Sequence, residues 1–62
     1  MTGFRTKSGT VYYVNQQQKV FCGGKFKSPQ PYVSLQAIIG AKAIIQLADG
    51  RVVQTSEVQA YI

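Results

Sequence analysis

Ala43-Ile-Ile-Gln-Leu-Ala-Asp-Gly-Arg-Val-Val-Gln-Thr55 is the stretch that decides the fold of this chain. Its two runs, Ile44 to Leu47 and Arg51 to Thr55, are rich in β-branched and apolar residues, and Asp49-Gly50 stands between them. Asp-Gly flanked in this way specifies a tight β-hairpin, because both residues accept the positive φ that hairpin turns demand. Two registers satisfy the pattern. A two-residue loop sets Leu47 opposite Val52 and Ile45 opposite Gln54. A three-residue loop, Ala48-Asp49-Gly50 with a left-handed Gly50, sets Ile45 opposite Val53 and Leu47 opposite Arg51. Strand side chains alternate with period two, so loop length decides which valine joins Ile45 and Leu47 in the core. The three-residue loop is preferred. Gly50 suits its αL position, and Gln46, Val52 and Gln54 then form a mostly polar outer face.

Upstream of the hairpin, Gly40 marks a break. Before it, in Tyr32 to Ile39, Val33, Leu35 and Ala37 alternate with Ser34 and Gln36, which predicts a strand entering the core. Leu35, Ile38 and Ile39, at i, i+3 and i+4, leave a short helical turn as the alternative. Gly23 to Pro31 reads as a long exposed loop: it holds two glycines, Lys25, Phe26 and Lys27, and its Pro29 and Pro31 cannot donate to a central ladder.

The first third of the chain reads as an antiparallel meander of three strands, Phe4 to Lys7, Thr10 to Val14 and Lys19 to Cys22. Ser8-Gly9 and Asn15 to Gln18 supply the connections. On the second strand Val11 and Tyr13 share one face and Tyr12 and Val14 the other, so both faces are apolar. Taking Val11, Tyr13, Val20 and Cys22 as core-facing places Tyr12, Lys19 and Phe21 together outside. Beyond the hairpin, Thr55-Ser56 are capping residues, and Val58 stands three or four positions before Tyr61 and Ile62. That spacing predicts a single 3₁₀ turn delivering Tyr61 and Ile62 to the sheet edge.

Assembled, these elements specify an all-β single domain over residues 1–62: a small five-stranded antiparallel barrel with a 3₁₀ turn near the C-terminus. Closure covers strand edges that an open sheet of this length would expose. The order of elements resembles that of SH3-like barrels, with an OB-like barrel as the related alternative. The resemblance lies in element order alone.

Size limits how such a chain is held together. Sixty-two residues bury only about 60% of the surface that the unfolded chain exposes. Cys22 is the single cysteine, so an intrachain disulfide is ruled out. With no histidine and two acids, a structural zinc site is excluded, and no metal or cofactor is expected. Packing or self-association must serve instead, which makes a homodimer one expected partner. The chain starts at Met1 without a charged-then-apolar leader, and its longest apolar run, Ala37 to Ile45, is interrupted by Gly40 and Lys42. That run is too short to cross a bilayer. With the free thiol, these features lead to the expectation of a small bacterial or viral protein of the cytoplasm, away from membranes.

Charge carries the functional reading. The formal net charge is +5. Arg5, Lys7, Lys19, Lys25 and Lys27 fall in the first 27 residues with no acid among them, whereas Lys42 and Arg51 are balanced by Asp49 and Glu57. Such asymmetry points to a polyanion or an acidic partner. Enzymatic chemistry lacks its usual groups. Cys22 has no histidine to activate it, Asp49 belongs to a turn, and Glu57 fits a first-turn acid at a helical start. The expectation is a non-enzymatic binding module for nucleic acid. Its site residues are Lys7, Tyr12, Lys19, Phe21, Lys25, Phe26 and Lys27, with rings stacking on bases of single-stranded DNA or RNA and cations holding phosphates; duplex DNA would lean more on charge. The alternative is a protein-interaction module binding an acidic surface. It would use a groove framed by Tyr12, Tyr32 and Pro29-Gln30-Pro31, or a strand added at the edge of Phe4 to Lys7. The same rings are also good strand formers that pack across strands.

Overall fold

The computed structural model describes residues 2–62. Six strands, one more than the five expected, follow one another: β1 (Gly3–Thr6), β2 (Val11–Asn15), β3 (Val20–Gly23), β4 (Phe26–Gln36), β5 (Lys42–Leu47) and β6 (Val52–Tyr61). Each pairs antiparallel with the next, and β6 returns to β1, so the sheet closes into a barrel, with β4 joined to β5 only from Tyr32 onward. Closure leaves β1 paired on both sides, with β2 and with β6. A partner strand therefore has no edge to join at Phe4 to Lys7. Among the described residues no helix is long and apolar enough to cross a membrane.

The β5–β6 hairpin has the three-residue loop. Ile45 pairs with Val53, Ile44 with Gln54 and Gln46 with Val52. Leu47 N donates to Arg51 O at 2.8 Å, and Gly50 stands at φ +95°, the left-handed region where a side chain is strained. Ala43, Ile45 and Leu47 are buried and alternate with exposed Lys42, Ile44 and Gln46. Asp49 tightens the turn by accepting from Arg51 N at 3.0 Å and from Arg51 Nε at 2.8 Å. The backbone bond from Arg51 is the main reason its carboxyl lies below the usual aspartate value, with the Arg51 guanidinium adding to it.

Two readings of residues 23–39 are corrected. Gly23 to Pro31 is not a long loop: the turn is confined to Gly24 and Lys25, and β4 starts at Phe26. The prolines fit because of strand alternation. Tyr32 N donates to Lys19 O at 2.9 Å, so even-numbered amides of this segment face β3 and the ring nitrogens of Pro29 and Pro31 face away. On that side β5 begins to pair only at Tyr32, opposite Leu47, and Pro31, at the end of that ladder, still accepts from Ala48 N at 3.1 Å through its carbonyl. The strand reading of Tyr32 to Ile39 holds as far as Gln36, but an extra residue at Val33 shifts its phase. Tyr32 is buried, Val33 is exposed, and Leu35 and Ala37 pack against the core.

The C-terminal 3₁₀ turn is absent: residues 55–61 belong to β6. The i, i+3 spacing that suggested a turn comes from bulges. Between Ile44↔Gln54 and Lys42↔Glu57, two steps on β5 face three on β6. Between Thr6↔Val58 and Arg5↔Ala60, one step on β1 faces two on β6. Each extra residue bends β6, which thereby passes from β5 to β1 and closes the barrel. Buried Thr55 and Val58 end up three apart for this reason. Thr55 also repairs the disturbed ladder: its Oγ1 accepts from Ala43 N at 3.1 Å and donates to Ser56 O at 2.7 Å.

The core contains Phe4, Val14, Phe21, Tyr32, Ala43, Ile45, Leu47 and Val58, drawn from all six strands. Tyr12 stacks on Phe4 with ring centroids 5.1 Å apart, and Phe21 meets Phe26 edge-on at 5.3 Å. No buried side-chain polar atom among the described residues lacks a partner.

Candidate functional site

The two faces of the β2–β3 hairpin are assigned opposite to expectation. Phe21 is 1% exposed, Val14 is buried, and Tyr12 is half-buried against Phe4. Tyr12 and Phe21 do share a face, but it is the barrel interior. Val11, Tyr13, Val20 and Cys22 take the outside, where Tyr13 remains 57% exposed. The misleading residue was Lys19. It was read in phase with Phe21, yet it closes the four-residue turn after β2 in a left-handed conformation, φ +54°. Its charge therefore says nothing about which side of β3 is wet.

Gly23 secures the true phase. It lies opposite Tyr12 on one side and Phe26 on the other. A Cβ there would come within 2.4 Å of Val11 O and 2.8 Å of Tyr12 Cα. The bare backbone lets β2 and β3 close up and leaves that rung of the interior to the two neighbouring rings.

The predicted site residues thus separate by type. Tyr12, Phe21 and Phe26 go inward, and their rings are committed to Phe4, Tyr32 and one another. Tyr32, expected to frame a protein-binding groove, is buried as well. Lys7, Lys19, Lys25 and Lys27 are all exposed, as is Arg5. Lys25 Nζ stands 5.9 Å from the centre of the Phe26 ring, which tethers one cation of the β3–β4 turn. Among the described residues the single ion pair is Arg51 with Asp49, at 2.8 Å. Glu57, the other acid, lies directly across from Lys42. Glu57 also neighbours Lys7, whose backbone N donates to its carbonyl at 2.7 Å, whereas Arg5, Lys19, Lys25 and Lys27 make no ion pair with an acid.

No protein-family model matches this chain, and comparison with curated proteins and with solved structures returned no match. Function must be argued from the surface itself.

The ring that sequence reasoning missed is Tyr13. It pairs with Cys22 across β2–β3, and Asn15 pairs with Val20 on the next outward rung. Beside them a shallow groove of about 250 Å³ is lined by Tyr13, Asn15, Gln18, Val20, Cys22 and Pro29, together with the buried Val14 and Phe21. Arg5 lies opposite Val11, which makes it a diagonal neighbour of Tyr13 on the same outer face. Lys19 follows Gln18 in the turn, and Lys27 precedes Pro29 by two residues on β4. The signal available in the sequence was the apolar character of both faces of Val11 to Val14. A strand of a one-layer barrel can bury only one of them.

Proposed function

We propose that this chain is a non-enzymatic binding module that holds nucleic acid on the outer surface of β1–β4, chiefly through the phosphate backbone. The observation that carries this reading is the placement of charge: Arg5, Lys19, Lys25 and Lys27 are exposed on β1–β4 and its turns without an ion pair, while the acids lie on β5–β6, Asp49 with Arg51 and Glu57 between Lys42 and Lys7. Like charges gathered on one part of a small barrel repel one another, and a polyanion relieves that repulsion while releasing its own counterions. With three of the expected rings inside the core, stacking is a smaller component and backbone charge a larger one. The free thiol of Cys22 fits a reducing compartment, and we assign the protein to the cytoplasm.

Fluorescence anisotropy of labelled single-stranded DNA, duplex DNA and RNA, titrated at two salt concentrations, tests the proposal. The expected result is binding that weakens steeply with salt, and a Lys25→Glu/Lys27→Glu variant that folds normally but binds more weakly. Absence of binding at low salt would remove nucleic acid from consideration. The second reading, an acidic protein surface as partner, is favoured by exposed Tyr13 beside the same cations, since an aromatic anchor within a charged rim is common at protein interfaces. Pull-down with the lysine variant as control separates the two.

A further inference from the structure

Resting on the nucleic-acid reading, we infer that the groove beside Tyr13 is a seat for one unpaired base, so that the barrel prefers single-stranded over duplex nucleic acid. Val20, Cys22 and Pro29 give the groove apolar lining, and the exposed Tyr13 ring borders it. An exposed aromatic ring beside apolar side chains suits the face of a nucleobase, since every base has a π-face to stack. A free volume of about 250 Å³ has room for one base and not for a stacked pair of base pairs.

Two amides supply an edge to the seat. Asn15 and Gln18 both line the groove, and Asn15 Oδ1 accepts from Gln18 N at 3.0 Å. That bond orients the Asn15 side chain and leaves its NH₂ as a donor. The Gln18 amide adds both a donor and an acceptor, the pairing that side-chain amides use on base edges. Arg5 is diagonal to Tyr13 across β1–β2, Lys19 follows Gln18 and Lys27 is two residues before Pro29, so cations accompany the seat on β1, β4 and the β2–β3 turn for the phosphates that flank an inserted base. A base locked in a duplex stack cannot enter a groove of this kind without being unpaired. The seat therefore discriminates strandedness, whereas the lysines alone do not.

The test compares wild type, Tyr13→Ala and Tyr13→Phe on a labelled single-stranded DNA, the matching single-stranded RNA and the matching duplex. Alkylation of Cys22 by iodoacetamide, with and without each oligonucleotide, serves as a second readout. Tyr13→Ala should weaken single-strand binding about tenfold, within the range of one base stacked on one ring, and change duplex affinity by less than about twofold. Tyr13→Phe should retain wild-type affinity. Saturating single strand should slow alkylation of Cys22 severalfold, and duplex should not. Equal affinities of wild type and Tyr13→Ala for single strand, or an unprotected Cys22, would overturn the base seat and leave the phosphate reading standing. A peptide-binding groove would give that same pattern. No binding of any oligonucleotide would overturn both.

Discussion

Hairpins β2–β3 and β5–β6 are made of similar residues, yet only one of them declares its inside. In β5–β6, buried Ala43, Ile45 and Leu47 alternate with Lys42, Ile44 and Gln46, Asp49 pairs with Arg51, and Glu57 lies across from Lys42. In β2–β3 both faces are apolar, and no acid accompanies the lysines of its turns. Both hairpins leave apolar residues outside: Ile44 and Val52 in β5–β6, Tyr13 in β2–β3. In β5–β6 these two pair with Gln54 and Gln46, whereas Tyr13 is an aromatic ring on a surface whose cations make no ion pair. An exposed ring among unpaired cations is therefore the mark of a working surface here.

The comparison breaks most visibly at Phe21 and Tyr13. Phe21→Ala should cost about 3–5 kcal/mol through the cavity it leaves, close to the whole stability a chain of this size commands. Circular dichroism should find that variant unfolded at room temperature or melting far below wild type. Tyr13→Ala, one position class away in the same hairpin, should change stability by less than about 1 kcal/mol. Equal losses from the two substitutions would mean that the inside and outside of β2–β3 are not as described.

A glycine in each hairpin sharpens the contrast further. Gly50 is in the left-handed region at φ +95° with open space where a Cβ would stand. Gly50→Ala should therefore cost only the backbone strain, about 1–2 kcal/mol. Gly23, at φ +138°, combines strain with a Cβ position 2.4 Å from Val11 O. Urea denaturation midpoints should fall further for Gly23→Ala than for Gly50→Ala. The reverse order would show that β2 and β3 do not approach as closely as the barrel requires.

The same two hairpins explain how much of the fold was legible in the residues. The three-residue loop at Asp49-Gly50 was readable because Gly supplies αL geometry and Gln46, Val52 and Gln54 mark the wet side. The barrel followed from strand count and length. What was hidden was irregularity. Lys19 looked like part of a strand but sits in a turn, and that single residue inverted the inside and outside of β2–β3. Pro29 and Pro31 looked like a loop because sequence does not show that their ring nitrogens point away from β3, at the end of the β4–β5 ladder. Thr55, Val58 and Tyr61 looked helical because two bulges in β6 replaced a period of two with a period of three. As for the candidate site, its lysines were readable as charge without a partner. Its ring was not, since choosing Tyr13 over Tyr12 required the phase.

The smallest effect concerns pH. The Asp49 carboxyl is held below its ordinary value in the folded turn, so its contribution is complete above that ordinary value and fades as pH falls through the lowered one. Asp49→Asn should lose this dependence, seen as melting temperatures of mutant and wild type that converge in strong acid. The effect is slight because the turn is solvent-exposed. No comparable acid-dependent group lies in β2–β3.

The most direct test of the account is an NMR titration of the ¹⁵N-labelled protein with a short single-stranded DNA. The account predicts that shifting amides fall at Arg5, Lys7, Tyr13, the turn from Gln18 to Lys19, and Lys25 to Pro29, with β5 and β6 still. Shifts centred on Ile44 and Val52, or a spectrum that does not change, would contradict it.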